Sequence, residues 1–561
     1  MIDRIAQFIN SRRDSASLAL GCIFAVGALC LLIMPLAGLP AGRDLQQHLQ
    51  FAAAYAEALA RGDFFPGWAA SENEGFGSVG IRFYPPAPYY LLAATRFVTG
   101  SWFDAFWLNC FFWMWLGGSG VYCWARERFS AAEALFAGVL FAAVPYHLFQ
   151  IFQALLFAEF AALGVLPFCF LFLERSIRTG GAARDLLGLS AFYSLLVLTH
   201  LPLTIIGSLA LAVYALFLLE RKTLLRTLAR LALAGALSLA ATAFYWIKIV
   251  TELPLVAHSK AEFAAGSFDY RQYLFPLYYS QGAPVWHFDA QILLALLMLA
   301  PAAAALALDR RRTSERKTLL AATAAGFFAV LMMSVPAAFV WERAAILRKV
   351  QFPWRWLSIA ALMGAVVFPA AVRMLCEKFP RRKRVFVYLA MIVAASIVVF
   401  NLTQNILPSA PISRAAFARD YADFESNRGC ECWWPAAARR EAFAQTEKID
   451  AGGRRAAIER WTAEARDFTI EAGAAGDVRL ATFFYPHWRA EIDGRSVAAG
   501  AAPDGRLSIP VGAERAVVRL RFVEPFPVEL ARTVSLAAWL LFPLAFFFVR
   551  RRAANQSASL K

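Results

Sequence analysis

Apolar runs long enough to cross a bilayer recur along this chain from one end to the other. Twelve such stretches lie near 16–38, 103–123, 130–146, 154–175, 186–201, 203–220, 229–250, 290–308, 318–338, 355–375, 385–403 and 531–549. An α-helix needs about 20 apolar residues to cross a hydrocarbon core of about 30 Å. Several of the twelve are short or contain proline. Of the 561 residues, 60% are hydrophobic and 17% charged, a balance soluble domains do not show. The expected fold is a polytopic all-α membrane protein of about 12 transmembrane helices.

The formal net charge of +16 suggests nucleic acid until its placement is examined. Basic clusters fall at Arg12/Arg13, Arg126/Arg128, Arg175/Arg178, Arg221/Lys222/Arg226, Arg310/Arg311/Arg312, Arg381/Arg382/Lys383/Arg384 and Arg550/Arg551/Arg552. With twelve spans all of them lie on one side, which is the positive-inside pattern and places both termini in the cytoplasm. No nucleic-acid partner is expected. The first apolar run is longer than a cleavable signal peptide and has no small-residue cleavage site, so it reads as a retained anchor.

The outward segments are then 39–102, 147–153, 202, 251–289, 339–354 and 404–530. Bulk, aromatic and acidic residues gather there. In the first outer loop, Leu45, Leu49, Ala52, Ala56 and Leu59 recur at helical spacing from Asp44 to Arg61, a helix expected along the membrane surface and stopped by Gly62. The stretch 86–98 is too short to span and reads as a re-entrant or interfacial helix. The segment 404–530 is densely charged, and its second half alternates as strands do at 467–471, 478–483 and 516–523, with the hairpin signal Asp493-Gly494. The domains expected are a membrane domain over 1–403 with its first outer loop at 39–102, an extracytoplasmic β-sandwich-like domain over 404–530, and a final transmembrane helix with a basic tail over 531–561.

Ionisable residues at the outer boundary are the candidate site. Asp44 and His48 lie four residues apart and share one helix face. They suit a general base with an imidazole that orients it or meets substrate, while Asp44 equally suits a helix N-cap. His200, at the outer end of the fifth run, suits a phosphate or hydroxyl ligand, or a hydrogen-bonded helix-end histidine. Glu159 lies inside the fourth run, where a carboxylate needs a polar cavity or an arginine. Arg348, Lys349 and Arg355 break the positive-inside pattern. Arg355, between Trp354 and Trp356, suits a lipid-linked phosphate, or an aromatic-belt anchor with a snorkelling arginine. Arg82, Tyr84 and Glu252 complete the expected substrate-binding set. The turn 483–489 closes a strand of the outer segment and suits stacking on a sugar ring or, more ordinarily, a packed turn.

Most of the eight cysteines lie in apolar runs as small buried side chains. Cys430 and Cys432 lie outside. A disulfide between positions i and i+2 is strained, and a metal or redox role there is the less ordinary alternative. The chain contains no P-loop, dinucleotide-binding glycine pattern, zinc-ligand cluster or nucleophile elbow.

The order of short motifs carries a resemblance. Gly42-x-Asp44-Leu45-x-x-His48-Leu49 is followed by Arg61-Gly62-Asp63-x-x-Pro66-x-Trp68, Phe83-Tyr84-Pro85-Pro86 and Thr199-His200. Gln351-Phe352-Pro353-Trp354-Arg355 and Tyr485-Pro486-x-Trp488…Ile492-Asp493-Gly494 come next. Over nearly its whole length the chain resembles the bacterial membrane proteins labelled YfhO-like or 6-pyruvoyl-tetrahydropterin synthase-related. Nothing in it is similar to a soluble pterin enzyme. That family in turn resembles the GT-C class of integral-membrane glycosyltransferases, which take a sugar from a polyprenyl-phosphate carrier at the outer face.

The resemblance implies a transferase of the bacterial inner membrane, with a polyprenyl-phosphate-linked sugar, membrane lipid and an extracytoplasmic glycan, lipid or protein acceptor as partners. It places an acidic base or metal contact at Asp44, so no cofactor is fixed and a divalent metal is possible. The second acidic residue that some GT-C members carry beside this one is missing, because Arg43 and Leu45 occupy those places. The alternative is a non-catalytic transporter or an assembly subunit for surface polysaccharide, for which Glu159 is the favouring feature.

Overall fold

The computed structural model describes residues 15–42, 44–260, 269–276, 279–280, 283–284, 286–309, 311 and 313–559. Arg12, Arg13, Arg310 and Arg312 of the basic clusters, and Arg43, lie outside the described residues.

Helices occupy all twelve apolar stretches. They are α1 (Ser15–Leu31), α4 (Trp102–Ala125), α5 (Ala131–Ala142), α7 (Phe157–Arg178), α8 (Ala183–Val197), α9 (Leu201–Leu218), α10 (Leu224–Ala241), α12 (Trp286–Leu308), α13 (Ser314–Met332), α14 (Leu357–Lys378), α15 (Lys383–Phe400) and α16 (Phe526–Ser559). Between them lie α2 (Leu45–Ala60) and α3 (Ala87–Thr99) in the first outer loop, α6 (Pro145–Phe152) directly after α5, and α11 (Ala243–Glu252). Among the described residues, eight helical stretches are long and apolar enough to cross a membrane: 131–152, 157–178, 201–218, 224–241, 287–308, 353–378, 380–406 and 526–547. α1 and α8 fall short in length, having 17 and 15 residues. α4, with 24 residues, and α13, with 19, are long enough but fall outside the eight.

Burial ranks these helices. The apolar windows of 157–178 and 353–378 are 89% and 78% buried, so α7 and α14 form the centre of the bundle. Those of 224–241, 380–406 and 526–547 are 22% buried, and their exposed leucines, valines and phenylalanines suit contact with lipid.

In the segment 404–530, residues 411–412 pair with 39–40, and the strands of the two larger sheets run from 449 to 522. β1 (Ile449–Asp450), β2 (Ala456–Trp461), β3 (Ala465–Ile470), β4 (Gly476–Phe483), β5 (Trp488–Ile492), β6 (Arg495–Val497), β7 (Gly500–Ala501), β8 (Arg506–Val511) and β9 (Ala516–Phe522) form two antiparallel sheets. Their orders are β6-β5-β9-β3-β2 and β7-β8-β4-β1. Alternating side chains of both sheets, among them Phe468, Ile470, Val478, Leu480, Val518 and Leu520, share one core. Asp493 and Gly494 turn β5 into β6 with φ of 50° and 79°, the double positive φ of a two-residue hairpin turn.

The first outer loop differs from its expectation. Trp68, Phe76, Val79 and Phe83 are buried in the core of the β-sheets, and the Phe483 amide donates to the Phe76 carbonyl at 2.8 Å. α2 is buried on more than one face, from Leu45 and His48 through Gln50, Phe51 and Tyr55. The Gln50 side chain donates to the carbonyls of Phe424 and Asn427, each at 2.9 Å. α2 is therefore held between the membrane helices and the segment preceding the strands. The expectation of a helix along the membrane surface is corrected, because its second face is covered by protein.

Candidate active site

Two residues of the motif Gly42…Asp44…His48, Gly42 and His48, meet Leu155. A side chain at Gly42 would place its Cβ 2.2 Å from Leu155 Cβ, so only glycine lets the chain pass there. The Leu155 carbonyl accepts from His48 Nε2 at 3.2 Å. With Nε2 protonated, Nδ1 is the acceptor for the Tyr89 hydroxyl at 2.7 Å. Burial pushes the imidazole down to about 4, so it is neutral at pH 7. Both nitrogens of His48 are thus engaged by protein.

Asp44 is exposed and takes the N-cap position of α2, yet its side chain makes no capping hydrogen bond. The bland reading as a helix cap therefore lacks its bond. The Asp44 charge acts on the hydroxyls of Tyr84 and Tyr89, whose rings lie 5.8 Å apart. Tyr84 is pushed up to about 12, first by burial and then by Asp44, while the Arg355 guanidinium pulls it down. A carboxylate and a guanidinium thus both lie within electrostatic reach of one phenol.

Arg355 begins where the loop 348–356 turns into α14. Its Nε lies 3.0 Å from Glu159 Oε2. Nη1 donates to the Val350 carbonyl at 2.6 Å and to Gln351 Oε1 at 3.1 Å. The guanidinium lies over the rings of Phe352 and Trp354 at 5.4 and 5.9 Å. Among the described residues no acceptor meets Nη2. Glu159 is 1% exposed and accepts from Tyr146 at 2.6 Å and Ser358 at 3.4 Å. Of its two expected settings, the arginine pair is the one found.

His200 caps α9, with Nδ1 accepting from the Leu203 amide at 3.2 Å. It lies within electrostatic reach of Arg355 and His48. Arg348 and Lys349 are exposed, and Lys349 acts on the half-buried His258. Asp44, His48, Tyr84, Glu159, His200 and Arg355 therefore form one neighbourhood, with Lys349 at its rim.

Arg82 and Glu252 form a different cluster. Arg82 is 0% exposed. Its Nε and Nη2 donate to the two Glu252 oxygens at 2.8 Å each. Nη1 and Nη2 donate to Glu524 at 2.6 and 2.8 Å, and Nη1 also reaches the Gly67 carbonyl at 3.3 Å. Tyr485 donates to Glu252 at 2.8 Å, Arg532 donates to Glu524 at 2.9 Å, and buried Lys248 lies within electrostatic reach. Every guanidinium N–H of Arg82 is spent on protein. This corrects the expectation for Arg82 and Glu252: they join the loop between α2 and α3, α11, the β-sheet region and the start of α16.

Glu252, His487 and Glu524 offer three ligand atoms within 4.8 Å of one another. Arg82 already bridges both carboxylates, and Arg532 adds positive charge, so these residues do not fit a divalent cation.

Sequence reasoning missed Tyr89, Trp433, His258 and Glu524. Trp433 packs against Tyr84 and Phe51 with centroids at 5.6 and 6.4 Å, and stacks on His258 at 4.9 Å and 7°. Only Glu524 had a usable signal, one of two acidic residues, with Glu529, shortly before the final apolar run.

Among solved structures the chain is similar to ArnT from Cupriavidus metallidurans bound to undecaprenyl phosphate, at 18% identity over 73% of this chain and 69% of that one, with a TM-score of 0.46. It is also similar to the Archaeoglobus fulgidus oligosaccharyltransferase tethered with an acceptor peptide, at 12% identity over 76% and 60% of the two chains, TM-score 0.44. A third is the arabinofuranosyltransferase AftD from Mycobacteria, at 16% identity over 71% and 27%, TM-score 0.41. No curated protein sequence matches the chain. The family model described as 6-pyruvoyl-tetrahydropterin synthase related domain, membrane protein, matches residues 81–407, more than half of the chain. The chain belongs to this family of 6-pyruvoyl-tetrahydropterin synthase-related membrane proteins.

Proposed function

We propose that this protein is an integral-membrane glycosyltransferase that moves a sugar from a polyprenyl-phosphate carrier to an acceptor on the extracytoplasmic side. The observation that carries the reading is the Arg355 guanidinium, held by Glu159, the Val350 carbonyl and Gln351 with an Nη2 that no described residue meets, within electrostatic reach of the Tyr84 hydroxyl on which Asp44 also acts. In the proposed step an acceptor hydroxyl attacks the anomeric carbon, the bond from that carbon to the phosphate oxygen breaks, and the anomeric configuration inverts. Asp44 takes the hydroxyl proton. Arg355, with Arg348 or Lys349 at the rim, stabilises the negative charge on the departing phosphate.

The other side chains support these two. Glu159 orients the guanidinium. His48, neutral and bonded at both nitrogens, fixes Tyr89 and through it the wall beside Asp44. This narrows its expected catalytic role to positioning. Glu159 was the feature favouring a transporter, and its pairing with Arg355, Tyr146 and Ser358 accounts for it inside the protein.

We further propose a twelve-span topology in the bacterial inner membrane, with both termini cytoplasmic and residues 404–530 outside. A disulfide in that segment, between Cys430 and Cys432, supports the placement, because such bonds persist in oxidising compartments.

General-base catalysis contributes 10²–10⁴-fold. Asp44→Asn is expected to cut transfer to surface glycans or lipid-linked products by roughly 10²-fold or more, with normal membrane insertion. Mass spectrometry of those products from the variant and parent strains checks it. Products unchanged in the variant refute Asp44 as the base.

A further inference from the structure

The roof over the candidate site is closed by a bond that contributes little to holding the whole protein together. Cys430 and Cys432 are joined across the single residue Glu431, with Cα atoms 5.2 Å apart. The stability gained by a cross-link grows with the length of the loop it closes, and a three-residue loop lies at the bottom of that scale. What this bond fixes is local: the backbone course through 430–432 and hence the direction in which Trp433 leaves it.

That local course matters because the roof touches the site at both ends. The Cys430 amide donates to Gln47 Oε1 at 2.8 Å, and Gln47 stands three residues from Asp44 on the same face of α2. The Gly429 amide donates to Asn73 Oδ1 at 3.1 Å. Beyond the disulfide, Trp433 packs on Tyr84 and stacks on His258. The Ala257 amide then donates to the Trp434 carbonyl at 2.8 Å, and the Ala436 amide to the Leu255 carbonyl at 2.9 Å. Cys430 is exposed, whereas the six free cysteines are buried or half-buried.

We infer that Cys430–Cys432 is a thiol–disulfide exchange site whose redox state sets the shape of the site wall. Its co-reactant is a dithiol, small or protein-borne, of the extracytoplasmic compartment. A thiolate of the dithiol attacks Cys430 Sγ, the Cys430–Cys432 bond breaks, and Cys432 leaves as a thiolate that takes up a proton. The second thiol of the dithiol then attacks the mixed disulfide, releasing Cys430 as a thiol. Two electrons pass to the protein and the dithiol ends as a disulfide. With the ring open, Trp433 and the Cys430–Gln47 contact lose their fixed geometry, and the wall beside Tyr84 and the start of α2 loosens. The inference uses the outer placement proposed above but not the glycosyl transfer, so it stands or falls separately.

The test uses the full-length protein in nanodiscs, with dithiothreitol as the dithiol and a maleimide tag located by peptide mass spectrometry. Amide exchange is followed in parallel. Expected is tagging of both Cys430 and Cys432 at dithiothreitol concentrations that leave the strands 465–522 protected. Exchange across 427–434 and 45–50 should rise roughly tenfold, a local opening that spares the rest of the fold. The double variant Cys430→Ser/Cys432→Ser should show the same exchange pattern without reductant. Tagging that appears only when the strands unfold overturns the inference. So does reduction, or the double serine variant, that leaves exchange at 45–50 unchanged.

Discussion

Two buried arginine–glutamate clusters lie near the same end of the helical bundle as the β-sheets, and they differ in how their donors are spent. Arg82 is completely buried between Glu252 and Glu524, with every N–H satisfied and Tyr485 and Arg532 completing the carboxylates. Arg355 is 7% exposed, pairs with one carboxylate, and has an Nη2 that no described residue meets. The same residue types make a scaffold in one place and a candidate anion site in the other. Counting donors, rather than naming residues, separates the two.

Breaking the scaffold is the largest effect expected. Removing one partner of a buried ion pair leaves an uncompensated charge and costs about 3–5 kcal/mol. Glu524→Ala should therefore lower the thermal midpoint in detergent strongly or abolish folding. Glu159→Ala should destabilise less, because Arg355 keeps the Val350 carbonyl and Gln351 as partners. Equal losses for the two variants break the distinction between the clusters.

A smaller effect isolates packing in the same scaffold. A Cβ at Gly67 would stand 2.3 Å from Glu524 Oε1 and 2.8 Å from Arg82 Nη1. Gly67→Ala is expected to cost about 1–3 kcal/mol, as overpacking does. Denaturation of the purified variant checks it, and a neutral result shows that the cluster can shift to make room.

Acid should loosen the scaffold gradually. Burial, and then the charge of Arg82, hold the His487 imidazole down to about 4, below its ordinary 6.5. As pH falls from 6.5 towards 4 the unfolded chain takes up this proton and the folded one does not, so stability falls. Burial opposes ionisation of Glu524, but Arg82 prevails and holds it down to about 2. Its contribution is complete above 4.5 and is lost as pH falls from there towards 2. The unfolding midpoint should therefore decline from pH 6.5 downward, and His487→Gln should flatten the upper part of that decline. A midpoint that rises between pH 6.5 and 4 contradicts the assignment.

The bundle was legible because apolar length is a one-dimensional signal. Helix α2 and its stop at Gly62 were legible from spacing, β3, β4 and β9 from alternation, and the turn between β5 and β6 from Asp493-Gly494. What the chain did not show was pairing across distance. Arg82, Glu252 and Glu524 are 170 and 442 residues apart in their contacts, and each alone resembles a ligand-binding residue. Trp68 and Phe76 looked like loop aromatics because the sheets that bury them lie some four hundred residues later. The Cys430–Cys432 bond was expected to be disfavoured on spacing, and the structure pairs them. Asp44, Tyr84, His200 and Arg355 were singled out because they stand at the boundary on which the folded chain converges.

The most direct test of this account is binding of undecaprenyl phosphate to the protein in nanodiscs, comparing Arg355→Lys, Asp44→Asn and the parent. Lysine keeps the charge but loses the planar fork, and a charged hydrogen bond contributes about 1.5–3 kcal/mol. The expected result is roughly ten- to hundredfold weaker binding by Arg355→Lys, with Asp44→Asn close to the parent. Parent-like binding by Arg355→Lys contradicts the account and leaves Arg355 as an aromatic-belt anchor.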